Sequence, residues 1–294
     1  MQINEILKIL KFRAIFISTI SFIFSSLIVL FSFFISDTYE SEIILAPVES
    51  GVMDAASQFS GIASLAGINI PLDESEKKTT YAIEVMKSLS FFENFISKYD
   101  LYFYLAAVNG WNAVNDTFSV KSDVYDKSSN SWISNDRFSK DGIPSIQKMH
   151  KDFLDNLDIN VDLSGIMRVS FIHYSPKISK MILENLIKEI NETSKVDEIS
   201  LAKNTIEYLS EESRKIQLSE VKILINQLIQ SQVEKIAIAN SLPEHTFKTL
   251  SKPYAAEERS YPRRFLIFIV SFLFSLSISS LIEIYRFREK PYKF

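Results

Sequence analysis

Apolar residues in this chain concentrate in two uncharged runs, residues 14–36 and 265–282, with 228 residues of mixed polar and apolar sequence between them. The first run holds 23 residues. At ~1.5 Å per residue they form a helix of about 35 Å, enough to cross a hydrocarbon core roughly 30 Å thick. The second holds 18 residues and reaches membrane thickness as 265–285, with Glu283, Ile284 and Tyr285 in the interfacial layer and Tyr285 as an aromatic anchor. A cleaved signal peptide fits the first run poorly. Its apolar core would be ~7–15 residues long and end in a small-x-small site, and Phe33-Phe34-Ile35-Ser36-Asp37 offers none. A buried soluble helix is the alternative for the second, and the bases Arg286, Arg288, Lys290 and Lys293 just beyond it argue against that.

Between the runs the periodicity changes several times. Tyr39 to Leu45 alternates in part and stops at Ala46-Pro47, which predicts a strand beside the first span. Residues 52–67 are rich in Ala, Ser and Gly and predict close packing. Residues 73–98 place Tyr81, Val85, Met86, Leu89, Phe92, Phe95 and Ile96 at helical spacing, an amphipathic helix or helix pair whose acids Asp73, Glu74 and Glu76 sit at the start, where the helix dipole favours them. Residues 109–142, dense in Asn, Asp, Ser and Lys with Trp111, Trp132 and Phe138 as isolated anchors, predict a long surface excursion with little regular structure. Helical spacing returns over 145–157. Residues 157–163 and 166–174 then flank Ser164-Gly165 as a β-hairpin. Strands so far apart in sequence predict an α+β domain.

From Ser175, a candidate N-cap, and Pro176 at the first helical position, no further Pro or Gly occurs before Pro243. A single helix over 176–242 would extend roughly 100 Å, and a kink is predicted near residues 191–200, where polar residues concentrate. Ile206, Leu209, Ile216 and Val221 begin an apolar stripe that Leu224, Leu228, Val233 and Ile236 continue. A helix of that length cannot bury its stripe on a compact domain. The stripe predicts a partner helix, in the chain or in other copies, and its spacing is too uneven for a heptad coiled coil.

Charge gives the topology. Each terminal segment, 1–13 and 283–294, carries a net charge of +2, which leaves −8 of the total −4 on residues 37–264. The positive-inside bias puts both termini in the cytoplasm and the acidic bulk on the far side, with Arg263 and Arg264 as local exceptions at the outer edge of the second span. There is no cysteine, so the outer domain holds by its core alone. The acidic balance excludes nucleic acid as a partner.

Catalytic chemistry finds no foothold. His150, His173 and His245 are far apart, without a second ligand at helical spacing, and predict packing or surface roles. The six glycines form neither GxxxxGK[ST] nor GxGxxG. The acid pairs Asp155/Asp158 and Glu211/Glu212 read as solvated helix faces. Glu283, at the edge of its span, is expected to snorkel to the interface. No catalytic residue, cofactor site or metal site is predicted.

The layout resembles the polysaccharide co-polymerases, the bacterial chain-length determinant family, over nearly the full chain. The resemblance lies in Tyr39-Glu-Ser-Glu-Ile-Ile-Leu-Ala-Pro47 after the first span, Ser60-Gly-Ile-Ala-Ser-Leu-Ala-Gly-Ile68, and the hairpin into Ser175-Pro176. It continues in Thr246-Phe-Lys-Thr-Leu250 before Pro253, Pro262 and Arg263. In the second span Ser271, Ser275, Ser277, Ser279 and Ser280 stand where the family often has glycine, and still permit close helix approach. The resemblance implies two transmembrane helices flanking a periplasmic α/β base domain with a long protruding helix. It also implies a bacterial inner-membrane location and ring-shaped homo-oligomers working beside a membrane polysaccharide polymerase and the growing polysaccharide. Some relatives carry a cytoplasmic tyrosine kinase; the twelve residues after Ile282 do not encode one.

The expected function is therefore non-enzymatic regulation of lipopolysaccharide O-antigen or related polysaccharide chain length, with the stripe from Ile206 to Ile236 joining copies. The alternative is a two-span sensor or activator of a separate tyrosine kinase in capsule or exopolysaccharide export. An anchored polysaccharide enzyme comes last.

Overall fold

A computed structural model describes residues 3–48, 74–133 and 140–289. The small-residue stretch 52–67, the motif 60–68, Asp73 and Phe138 lie outside the described residues. Helix α1 (Ile3–Ser32) and helix α7 (Arg264–Glu289) are the two apolar helices. The first starts well before the expected 14–36, at Ile3, and stops at Ser32; the second covers the expected 265–285 and runs on to Glu289. Residues 33–35 close the first helix in tight turns, Phe33 N–H bonding to Leu30 O at 3.2 Å.

Strand β1 (Tyr39–Pro47) leaves α1 and lies inside a four-stranded antiparallel sheet of order β6-β7-β1-β8. Its neighbours are β7 (Met167–His173) and β8 (Phe247–Ser251), and β6 (Leu157–Val161) pairs with β7 through the expected turn, where Gly165 has φ +79°. The register sets Ile43 opposite Val169 and Leu45 opposite Met167. These positions alternate with half-buried ones, so one sheet face is apolar and takes the core. The sequence reading left residues 247–251 without a strand. Their pairing to Leu45–Pro47, 200 residues earlier, is what makes them one.

The core is built by helices on that face. Residues 73–98 are a helix pair as expected, α2 (Glu74–Lys87) and α3 (Leu89–Lys98), separated at Ser88, whose Oγ caps α3 by accepting the Phe91 N–H. Helix α4 (Ile146–Asn156) starts the same way on Ser145. Phe92, Phe153 and Phe171 then stack across α3, α4 and the sheet, with ring centroids 5.1 and 5.2 Å apart. Such tilted aromatic contacts stabilise beyond their buried area by about 1 kcal/mol each.

Residues 109–142, in their described part, are more regular than expected. They form two short hairpins, β2 (Val108–Asn112) with β3 (Thr117–Val120), and β4 (Tyr125–Asp126) with β5 (Ser131–Trp132). The Asn and Asp residues that suggested a structureless loop are their turn residues. Asp116 and Asn130 have positive φ, and Asn112 Oδ1 accepts the Val114 and Asn115 N–H groups. Trp111 and Trp132 are not isolated anchors, since each meets a tyrosine ring edge-on, Tyr39 and Tyr125 respectively. A π-helical turn, Phe103–Ala107, precedes β2.

The largest correction concerns the long helix. Helix α5 (Pro176–Lys215) runs straight through residues 191–200, and the chain breaks at Ile216–Leu218 and doubles back as α6 (Ser219–Ser241). The result is a helical hairpin with arms of roughly 60 and 35 Å instead of one 100 Å rod. Within 191–200, Asn191 and Glu198 are held by the returning chain, and α5 continues through them. Buried Asn191 accepts the Thr246 and Phe247 N–H groups at 2.8 Å on Oδ1 and donates to Phe247 O at 3.1 Å. The first turns of α5 pack Ile178, Ile182, Leu186 and Ile190 on the sheet. Beyond them Ala202, Ile225 and Ala239 are buried where the two arms meet, and the small residues let the backbones approach.

Asn191 is thus the clamp between hairpin and sheet. Asn191→Leu leaves two buried N–H donors without acceptors, a loss of roughly 2–4 kcal/mol. Hydrogen exchange at Thr246 and Phe247 is predicted to accelerate strongly. Unchanged protection there would refute the clamp.

Candidate functional site

Three places bring functional groups together: the apolar helix pair, the junction where it meets the sheet, and a cleft at the root of the hairpin.

Helices α1 and α7 pack against each other in antiparallel fashion, through the contacts Phe22–Phe268 and Ser25–Ser271. Ser21, Ser25, Ser271 and Ser275 are buried in the seam. Ser25 Oγ lies 2.7 Å from Ser271 Oγ and donates to Phe268 O at 2.8 Å, so hydroxyls and small side chains bring the helices close, as the sequence suggested. The outward faces are apolar and open, with Phe31, Phe34, Phe265, Leu273 and Leu281 all exposed. Two helices this apolar and this uncovered by protein suit lipid contact. Glu283 does not snorkel outward. It is buried in the pair, with Arg286 3.9 Å away.

At the junction between the helix pair and the sheet, residues 252–262 run back along β1. Ser41 Oγ donates to Tyr254 O at 2.9 Å, Glu40 N–H to Ser260 Oγ at 3.0 Å, and Thr38 N–H to Tyr261 O at 2.9 Å. Pro253 is buried in this contact, and Pro262 sits at its end after a cis peptide bond. The arginines expected as local exceptions to the charge rule have partners here. Arg264 Nη2 lies 2.9 Å from Asp37 Oδ1, at the end of the other span, and its guanidinium stacks 4.4 Å from the Phe33 ring. Arg259 stands 3.7 Å from the same carboxylate. Arg263 is exposed and lies over the Tyr261 ring at 5.3 Å.

The cleft, of about 430 Å³, lies where the hairpin leaves the base, between α2, α5, α6 and the end of β1. His245 Nε2 meets Glu198 Oε2 at 2.7 Å, and Lys78 Nζ stands 3.7 Å from the other oxygen. The hydrogen bond from His245 holds the Glu198 carboxyl below the usual carboxylate range, with the lysine charge adding to the effect. Asp197, Gln232 and Lys235 complete the polar side; Tyr81, Leu201 and Val48 form an apolar one.

The other histidines are structural. His173 is buried, donates from Nε2 to Tyr104 O at 3.0 Å and accepts the Ser175 N–H on Nδ1 at 3.0 Å. Burial pushes its proton affinity down, consistent with a neutral ring. His150 Nε2 bonds to Lys87 O. Among the described residues no cluster of His, Asp and Glu is suited to a metal ion.

The predicted stripe divides over the two arms. Ile206, Leu209 and Ile216 lie on α5 or at its end, and Val221, Leu224, Leu228, Val233 and Ile236 lie on α6. Leu224 and Val233 are exposed and the other six are half-buried. The hairpin thus supplies part of the partner helix within the chain. The Glu198–His245 pair joins residues 47 apart in sequence, and no local spacing announced it.

No family model matches this sequence, and no curated protein matches it. Among solved structures the chain is similar to polysaccharide co-polymerases. A full-length bacterial one is 12% identical, with TM-score 0.38, over 99% of this chain and 100% of that one. A fragment of WzzB from Salmonella Typhimurium is 13% identical, with TM-score 0.30, over 77% of this chain and 100% of that one. A mutant of WzzBSF, the lipopolysaccharide O-antigen chain-length regulator of Shigella flexneri, is 10% identical, with TM-score 0.23, over 76% and 100%.

A depressed carboxyl stabilises the fold above its unfolded value near 4.5 and loses that contribution as pH falls through the folded value. The melting temperature of the full chain is predicted to fall below about pH 4.5, and Glu198→Gln to flatten that acid limb while lowering the neutral plateau. An acid limb unchanged in Glu198→Gln would exclude the pair as its source.

Proposed function

We propose that this chain is a non-enzymatic inner-membrane scaffold that regulates the chain length of lipopolysaccharide O-antigen or a related surface polysaccharide. Both termini face the cytoplasm, the α/β base stands in the periplasm, and the helical hairpin rises from it. Copies assemble into a ring beside a membrane polysaccharide polymerase, and length follows from the geometry of the ring and its contacts.

One observation carries this reading. The strand that follows the first apolar helix and the strand that precedes the second are neighbours in one sheet, on top of a packed helix pair. A fold closed this way presents a base seated on the bilayer and a hairpin directed away from it. The exposed apolar side chains along that hairpin, Tyr208, Leu218, Leu224 and Val233, support association with further copies. The resemblance in layout and motif order supplies the polysaccharide.

Surface polysaccharide from a deletion strain, with and without the gene restored, is expected to differ in its ladder of chain lengths on gels. In the restored strain, Leu224→Glu with Val233→Glu, at exposed positions that spare the subunit fold, is predicted to break rings into smaller species and shift the modal length together. An altered length distribution with intact rings would contradict the assembly role of the hairpin. An unchanged ladder on deletion would overturn the function.

A further inference from the structure

The cleft at the hairpin root is not used by the membrane anchoring or by the assembly described above, and its lining has a chemical character of its own. Its volume of about 430 Å³ lies in the range of small-molecule sites, roughly 300–1,000 Å³. One side is apolar: the Tyr81 side chain, 58% exposed, and Leu201, 68% exposed, open onto it beside Ala202. Large apolar groups left uncovered inside a concavity, next to converging polar groups, are the usual composition of a ligand site.

The polar side limits what the ligand can be. Among the described residues that line it, Lys78 and Lys235 are matched in number by Asp197 and Glu198, so this lining favours neither an anion nor a cation by net charge. Glu198 is already held by His245 and Lys78. Asp197 makes no hydrogen bond or ion pair among the described residues. Ser194, also on the lining, has a buried Oγ with no hydrogen-bond partner among the described residues. With the Gln232 amide the cleft therefore offers a carboxylate acceptor, a hydroxyl and a group that both donates and accepts. The matching ligand is uncharged, carries several groups that both donate and accept, and has an apolar face for an aromatic ring. A pyranose has those properties: its hydroxyls do both, and its C–H face stacks on a phenol ring.

We propose that this cleft binds a short uncharged stretch of oligosaccharide, with a sugar ring on Tyr81 and hydroxyls on Asp197, Gln232 and Ser194. The assignment rests on the chain-length reading for the arrival of carbohydrate at this side of the membrane. It gives the scaffold a direct contact with the polymer at the point where hairpin, sheet and returning chain meet. Occupancy there would bear on the angle between hairpin and base, because α2, α5, α6 and the end of β1 all line the cleft.

The test uses the full chain in lipid nanodiscs with lactose, cellobiose and N,N′-diacetylchitobiose as neutral probes and glucose 1-phosphate and glucosamine as charged ones, read by saturation-transfer NMR and calorimetry. Saturable binding of at least one neutral disaccharide is expected, stronger than either charged sugar. It should weaken about tenfold in Tyr81→Ala and in Asp197→Ala, the loss of one ring contact or one hydrogen-bonded group. Tyr81→Phe should retain it, which separates a stacking platform from a folding defect. Absence of saturable binding by all three disaccharides, tighter binding of a charged sugar, or full affinity in Tyr81→Ala would overturn the assignment. The polysaccharide ladder separates the two claims. A deletion phenotype without sugar binding removes the cleft proposal and leaves the scaffold, while a ladder unchanged by deletion removes the scaffold itself.

Discussion

The hydrogen-bonded bridge between Thr38 and Tyr261 is the constraint on which the other features depend. It joins the chain just after its first apolar helix to the chain just before its second, with Thr38 N–H on Tyr261 O at 2.9 Å and Ser260 N–H on Thr38 O at 2.8 Å. Once these two points are held together, the end of α1 and the start of α7 lie side by side, and β1 and β8 lie together next to them. The intervening chain becomes a closed loop whose ends cannot separate. A sheet seated in this way needs no disulfide, because the helix pair below and the Phe92–Phe153–Phe171 core above tie the same strands.

Electrostatics at this junction follow the same constraint. In the proposed orientation, with both termini in the cytoplasm, basic residues at this end of the second helix run against the usual charge asymmetry. Arg264 is tolerated because closing the helix pair brings Asp37 to within 2.9 Å of it and Phe33 beneath its guanidinium plane. The charge is neutralised by a residue from the other span, so the pair stabilises the antiparallel arrangement as well as the individual helix end. Deeper in the seam the serines do comparable work with smaller groups. Ser25 reaches both a hydroxyl and a carbonyl of α7, and helix contacts in lipid gain mainly from such close packing and interhelical hydrogen bonds.

What could be read from the sequence was what local pattern controls. An uncharged run fixes a span, Ser164-Gly165 between two β-rich runs fixes a hairpin, and apolar residues at helical spacing fix the helical segments within 73–98 and 145–157. The reversal at Ile216–Leu218 was illegible because it contains neither glycine nor proline. The chain turns there because α6 gains a partner by doing so, and Asn191 and Glu198, in the polar stretch that looked like a break, bond to that returning chain. Strand β8 and the Glu198–His245 pair were hidden for the same reason, being made by contacts between distant segments. Residues 109–142 failed differently: their turn-forming Asn and Asp were noticed, but read as loop composition instead of as the corners of two hairpins.

The central claim is that two spans of one membrane hold a single outer domain between them, and the lack of native cysteine makes it directly measurable. Val114→Cys, on the highly exposed β2–β3 turn, and a cysteine appended after Phe294 can each be treated in intact spheroplasts with a membrane-impermeant maleimide. The account predicts labelling of Val114→Cys in intact cells and of the appended cysteine only after lysis. Labelling of both in intact cells, or of the appended cysteine alone, would contradict it.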